Sequence, residues 1–401
     1  IIIQTPFMMN IKEFEKEIPI LELELPKEDT IEAILVSTVK DLDYDSQPNS
    51  EDEREIISAS KGLSIMEAEW TYRKIIAEKN RITKNEINLI IKEKEQIIKK
   101  SGVLEYFHPQ GDFNEVGGME NLKDWLGKRG KAFSNDAKEF GLVSPKGVML
   151  LGIPGCGKSL VSKTIANEWE LPLLKLDLGS VFGSLVGESE ARMREALSLA
   201  EAISPSILWI DEIEKGLSGI TNGGDGGTSA KVFGTLLTWM QEKKNEVFVI
   251  STANDISALP PELLRKGRFD EIFFVDLPSA QEREDIFKIH IEKKKREIGN
   301  FDFNELRNKS VGFSGAEIEE AVNEALFIAY DSNKELDIKH IEEALEKTFP
   351  LSRTMESTIK DLRSWAKVRA RFASNGKSEE LPESKECIPT LPQEKSNPFI
   401  N

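Results

Sequence analysis

Between Lys146 and Pro278 the chain alternates short apolar runs with longer amphipathic stretches. Gly147-Val-Met-Leu-Leu151 is uninterrupted and apolar, as a strand buried on both faces requires. Leu160 to Trp169 follows with helix-compatible composition, and Ile207-Leu-Trp-Ile210 and Val247-Phe-Val-Ile250 repeat the strand signal. This alternation predicts an α/β fold, a parallel sheet flanked by helices. From Phe303 to Phe349 the pattern turns wholly helical and predicts a separate small bundle. Ile65 to Lys100 carries two helix-length periodicities joined near Asn80, with Thr83 as an N-cap. Asp41 to Arg54 is acidic, contains Pro48 and Asn49, and reads as a loop. Ser374 to Asn401 mixes Ser, Glu, Lys and Pro with few apolar residues and reads as disordered.

The turn after the first of these strands carries chemistry. Gly152-Ile153-Pro154-Gly155-Cys156-Gly157-Lys158-Ser159 has the spacing G-x-x-x-x-G-K-S in the strand–loop–helix context of a phosphate-binding loop. Its glycines let backbone N–H groups wrap a phosphate, and the helix opening near Leu160 adds a favourable dipole. Lys158 is placed to reach the β- and γ-phosphates of ATP, and Ser159 to ligate Mg2+. The run Ile207 to Ile210 ends in Asp211 and Glu212. Asp211 suits the magnesium shell, and Glu212 suits polarisation of an attacking water. A strand running into a solvated acidic turn is the alternative, because Glu214 and Lys215 follow. Cys156 leaves two readings open, a thiol activated by the helix N-terminus and a variable loop position.

Bulk properties narrow the class. The 401 residues suit two or three domains. With 53 basic and 70 acidic residues the net charge is −17, which disfavours nucleic acid and anionic membranes as partners. Cys156 and Cys387 are the two cysteines, which fits a reducing compartment without disulfides. No apolar run approaches the ~18 residues of a membrane span. Ile1-Ile-Ile lacks the charged region of a signal peptide, and the absence of an initial Met leads us to expect a longer protein. No His-Glu-x-x-His occurs, which excludes a zinc protease of that motif in these residues. Arg353, Lys360, Arg363, Lys367, Arg369 and Arg371 form a basic run late in the chain. It reads either as a contact for RNA or an acidic partner, or as a solvated or subunit-facing helix.

An internal repeat is legible. Ile1 to Thr5, Leu23-Glu-Leu25-Pro26 and Thr30 to Leu35 have counterparts in Val247 to Thr252, Val275-Asp-Leu277-Pro278 and Glu282 to Phe287. Gly62-Leu-Ser64 with Glu67 matches Gly312-Phe-Ser314 with Glu317, and Ile82 to Ile87 matches Leu336 to Ile341. The offset stays near about 250 residues, as two copies of one unit would give. Chance pairing of common dipeptides is the alternative. The first copy lacks the counterpart of Arg265-Lys-Gly-Arg268 and is expected to be degenerate.

The ATPase core resembles the AAA family well beyond its nucleotide loop. Phe113-Asn-Glu-Val116-Gly117-Gly118 is similar to that family's segment beside the adenine. Gly187-Glu-Ser-Glu190 with Arg192 and Arg194 resembles the helix after its second strand. Ser251-Thr-Ala-Asn254 is similar to its sensor strand, and the resemblance implies that Asn254 positions the lytic water with Glu212. Leu259 to Asp270, with Arg265 and Arg268, resembles its arginine-finger stretch. Gly312-Phe-Ser-Gly315-Ala316-Glu-Ile318 looks like the start of the lid helix over the base. His290 stands where the family often has an adenine-side histidine, a structural histidine being the alternative. By resemblance Arg265 and Arg268 act on the neighbouring subunit's nucleotide, so a homo-hexameric ring is implied. The aromatic grip of family unfoldases is replaced by Leu185 in Phe182-Gly-Ser-Leu185-Val186-Gly187, and Thr221 to Thr228 is nearly featureless. Both features weaken the case for threading of protein substrates.

A narrower resemblance covers nearly the whole chain. Ile207 to Lys215, Leu237-Thr-Trp239-Met-Gln-Glu-Lys243, Leu362-Arg-Ser-Trp365-Ala, Leu171 to Asp177 and Lys266 to Phe274 look like one AAA group. This is the hypothetical reading frame forty-six group of chloroplast genomes and cyanobacteria. It implies a cyanobacterial cytoplasm or chloroplast stroma, and a link to photosynthesis or inorganic-carbon use. The expected organisation places the C-terminal part of a degenerate AAA-like module at 1–104 and the α/β core at 105–300. A helical lid at 301–352, a C-terminal helix at 353–373 and a disordered tail at 374–401 follow. Expected function is ATP hydrolysis by a ring that remodels a partner protein. A nucleotide-sensing regulator with little turnover is the alternative, and a nucleic-acid-directed ATPase is disfavoured by the charge.

Overall fold

The computed structural model describes residues 25–41, 48–108, 111–182, 188–216, 226–265 and 267–375. They divide into two compact units, one running to Val275 and resuming at Trp365–Asn375, the other Asp276–Ser364.

The first unit opens with four helices, α1 (Glu28–Asp41), α2 (Ser50–Ser60), α3 (Ile65–Lys79) and α4 (Ile87–Ser101). Ile31, Leu35, Ile56, Leu63, Tyr72 and Ile75 form their shared core. The acidic stretch read as a loop to Arg54 is helical from Ser50 onward. Asn49 accepts the Asp52 N–H at 2.8 Å, and Ile56 and Ile57 bury the far side. Ser64 caps α3 reciprocally with Glu67, and Thr83 caps the turn before α4 with Glu86.

From α4 the chain turns at Gly102 (φ 71) straight into β1 (Leu104–Phe107). There follow α5 (Glu120–Gly130), α6 (Asn135–Glu139), β2 (Gly147–Gly152), α7 (Lys158–Glu168), β3 (Leu173–Leu176) and α8 (Leu178–Phe182). Then come α9 (Glu188–Ala202), β4 (Ser206–Ile210), α10 (Gly226–Glu242), β5 (Val247–Ala253) and β6 (Glu271–Val275). The strands form one sheet in the order β1-β3-β4-β5-β2-β6-β7, where β7 is Arg371–Phe372. All neighbours are parallel except β1 on β3. Every residue of β2, β4 and β5 is buried, as uninterrupted apolar runs in a covered parallel sheet must be. One face packs Met149, Leu151, Leu208 and Ile210 against Met193, Leu197, Phe233 and Met240 of α9 and α10. On the other face Trp125 meets Phe273 and Trp169 meets Phe248 edge to face. Ile98 and Val103 join the sheet's core, so the four helices and the sheet are one body.

The second unit contains α11 (Ala280–Lys293), α12 (Phe303–Lys309), α13 (Gly315–Asp331), α14 (Ile338–Lys347) and α15 (Leu351–Thr354). Most of α16 (Glu356–Arg369) also belongs to it. The expected core boundary at residue 300 is therefore corrected. Phe287 and Ile291 of α11 bury into the helical core with Ile318 and Ile341. The segment expected as a single helix over 353–373 is two helices and the strand β7. Within it Arg363 is no solvated residue, since its guanidinium pairs with half-buried Asp276 at 2.9 Å.

The helical sets of the two units follow one plan. α1 packs on α3 and α2 on α4, as α11 packs on α13 and α12 on α14. Gly62 (φ 88) and Gly312 (φ 82) make the same turn, Leu63 and Phe313 are both buried, and Ser64 and Ser314 close the same capping box. The apolar runs before Leu25, the loop residues 183–187 with Leu185, residues 221–225 and the tail from 376 lie outside the described residues. Gly226 to Thr228, read as loop, open α10.

Candidate functional site

The site assembles at the C-terminal ends of β2, β4 and β5, where a doubly covered parallel sheet presents its loops. Gly152 leaves β2 with φ +156, and a Cβ there would lie 2.0 Å from the Val275 carbonyl oxygen. Ile153 N–H donates to that same oxygen at 3.0 Å, which pins the loop to the end of β6. Gly155 (φ 75) and Gly157 (φ 86) take the left-handed conformation, and Gly157 caps α7. Pro154 before them is half-buried and Cys156 between them is buried, while Gly155 and Leu160 face solvent. Val116 is buried and Gly117 half-buried in the turn before α5, and the Met119 methyl approaches Gly157.

Lys158 is buried and folds back on its own loop, donating to the carbonyls of Gly152 at 2.9 Å and Ile153 at 2.8 Å. Burial pulls its amine down to about 8. Ser159 Oγ donates to Asp211 Oδ1 at 2.9 Å, and Thr252 Oγ1 donates to that oxygen at 2.7 Å. Thr252 also accepts the Glu212 N–H at 2.8 Å, so β5 fixes both residues at the end of β4. Glu212 has φ 48, a left-handed value uncommon outside glycine, and its Oε1 accepts from Asn254 Nδ2 at 3.2 Å. The structure thus brings Ser159, Asp211, Glu212 and Asn254 into one connected network. Thr252 was missed in the sequence, where it is one hydroxyl in an apolar strand. Glu214 is not a solvated turn residue: it is buried, accepts the Asn254 backbone N–H at 3.0 Å, and burial raises its carboxyl above the usual range. Lys215 pairs with Glu212 Oε2.

Arg265 is exposed in the turn before β6, and Arg268 is half-buried with its Nε inaccessible and without a hydrogen-bond partner. The remaining expected residues belong to the second unit. His290 of α11 is half-buried 3.7 Å from the Glu319 carboxylate, and burial holds its imidazole below the usual range. Gly315 and Ala316 are the first two residues of α13, behind the Ser314 cap.

The family model for the "ATPase family associated with various cellular activities (AAA)" matches residues 148–277, from β2 through the end of β6. The AAA domain-containing protein ycf46 of Guillardia theta is 46% identical over 359 residues, 89% of this chain and 71% of that protein. The chain belongs to the ycf46 group of AAA proteins. The ycf46 protein of Pyropia yezoensis is 46% identical over 375 residues, 93% of this chain and 75% of the relative. More distantly, the ATP-dependent zinc metalloprotease FtsH of Karelsulcia muelleri is 35% identical over 242 residues, 59% of this chain and 39% of that enzyme. A second family model, for the second domain of SpoVK-like AAA ATPases, matches residues 29–101, the four helices α1 to α4.

The depressed amine of Lys158 gives the nucleotide-binding equilibrium a proton signature. Between about pH 8 and 10.5 the folded chain binds fewer protons here than the unfolded one. The folding penalty of this lysine is therefore full below about pH 8 and fades as pH rises toward 10.5. A phosphate held beside the amine would restore its charge, so ATP binding there should take up close to one proton at about pH 9 and almost none below about pH 7. Calorimetric titration in buffers of different ionisation enthalpy reads this directly. Proton-neutral binding at pH 9 would remove Lys158 from the phosphates.

Proposed function

We propose that the chain hydrolyses ATP at the phosphate loop, within a homo-hexameric ring whose neighbouring subunit supplies Arg265 and Arg268. The observation that carries this reading is the bonded network at the end of β4, in which Ser159 and Thr252 converge on Asp211 while Asn254 holds Glu212. The close approach of Gly152 to the Val275 backbone, which leaves no space for a Cβ, holds the loop against the end of β6 in the form a backbone cradle for phosphate needs.

In this reading Lys158 exchanges its two carbonyl partners for the β- and γ-phosphates. Ser159 and Asp211, a hydroxyl and a carboxylate already sharing a hydrogen bond, are a hard-oxygen donor pair of the kind Mg2+ takes. When bound, the ion neutralises charge on the phosphates. Asn254 orients and Glu212 polarises the attacking water. Val116, Gly117, His290, Gly315 and Ala316 are assigned to nucleotide binding. The matching plans of α1–α4 and the second unit support a degenerate first AAA-like module. We further assign remodelling of a protein partner, linked to photosynthesis or inorganic-carbon use in a chloroplast stroma or cyanobacterial cytoplasm.

Steady-state ATP hydrolysis against protein concentration tests the reading. Specific activity should rise with concentration as neighbours complete each site. Tight ATP binding without turnover at any concentration would replace it with a nucleotide-sensing regulator.

A further inference from the structure

We propose that Lys215 is a latch on the catalytic carboxylate, holding Glu212 away from its water until the ammonium is drawn off. The proposal rests on the hydrolytic reading of Glu212 given above. A hydrogen bond from the Lys215 N–H to the Glu212 carbonyl, 2.9 Å, closes a turn directly after β4. Residues three apart in such a turn share one side. The Lys215 ammonium accordingly meets Glu212 Oε2, while Asn254 Nδ2 already occupies Oε1 at 3.2 Å. Both carboxylate oxygens are engaged.

The two partners differ in how firmly they are held. Asn254 is fixed through its backbone, whose N–H donates to buried Glu214 at 3.0 Å. Lys215 has a side chain 72% exposed to solvent, on a long flexible stem. A water that gives its proton toward Glu212 needs a free lone pair on one oxygen, within hydrogen-bond reach. Asn254 orients the carboxylate from one side; each oxygen keeps a second lone pair, so the ammonium does not fill Oε2 but crowds the oxygen that Asn254 leaves open to a water. The Glu212 ion pair raises the Lys215 amine above its usual range, so the latch is charged and closed throughout the neutral range. Exposed ion pairs are weak, which makes this latch readily opened and sets the size of its effect. Lys215 acts through Glu212 and is a positioning residue.

The 401-residue chain carrying Lys215→Ala or Lys215→Arg, compared with the unmodified chain at saturating ATP, provides the test. Lys215→Ala should raise kcat about twofold to fivefold with KM for ATP unchanged. Lys215→Arg keeps the cation and its reach, and should return kcat to the unmodified value. Neither variant should move Tm, because the side chain is exposed. An unchanged or lowered kcat in Lys215→Ala overturns the latch, and so does an equal rise in both variants, which would tie the effect to shape and not charge. Absence of turnover in all three chains overturns the hydrolytic reading and the latch with it.

Discussion

Glu212→Gln should bind ATP as tightly as the unmodified chain and hydrolyse it about 10²–10⁴-fold more slowly. The substitution keeps the shape of the side chain and removes only its capacity to take a proton from water. Its backbone N–H still donates to Thr252 at 2.8 Å, so the end of β4 stays in place. Loss of the Lys215 pair costs little, as loss of an exposed ion pair does. Lys158, Ser159 and Asp211 are untouched, and with them the phosphate and metal contacts assigned above. Equilibrium ATP binding and single-turnover hydrolysis on the same preparation separate the two effects. Undiminished turnover would move the base elsewhere, and Glu214, whose carboxyl is pushed upward by burial, would be the next residue to replace.

The second large effect is expected from Arg268→Ala: ATP binding retained, turnover reduced about 10³–10⁵-fold. The charge developing on the transferred phosphoryl group is spread over its equatorial oxygens, and a planar guanidinium answers it better than a point charge. A decisive readout comes from mixing this variant with Glu212→Gln. Each is inactive alone, but a ring containing both has interfaces where an intact Glu212 faces an intact Arg268. In an equal mixture about a quarter of interfaces qualify, so activity should return to about that fraction. If the mixture stays silent while each variant remains folded and binds ATP, Arg268 does not serve the neighbouring site.

The parts of this architecture that are strong local signals were readable without coordinates. Gly152 and Gly157 stand where the G-x-x-x-x-G-K-S spacing asks for unusual backbone, and both take a positive φ. The Ser64–Glu67 and Ser314–Glu317 pairs are capping boxes that repeat at one spacing, and both form. What was missed depends on partners distant in the chain. β1 has four residues and β7 two, too few for any periodicity, and each exists because a sheet edge receives it. Glu214 looks like a solvated acid in the sequence, and only the Asn254 backbone arriving from β5 makes it a buried acceptor. The unit boundary at Val275 was set too late because α11 is amphipathic, and amphipathicity does not say which body a helix will face.

Strand β7 also bears on how the protein is made. It pairs with β6 only after the whole second unit has intervened, Phe273 lying beside Arg371. In topological terms the second unit is an insertion in the first. On the ribosome the β6 edge therefore emerges unpaired and stays so while the inserted helices are synthesised. The Asp276–Arg363 pair ties the two ends of the insertion together within it. Once the inserted helices have folded, the long loop that β7 must close becomes a short one, with most of the closure entropy already spent. The order of folding is thereby written into the connectivity: helices between Asp276 and Ser364 first, the last strand of the ATPase sheet afterwards.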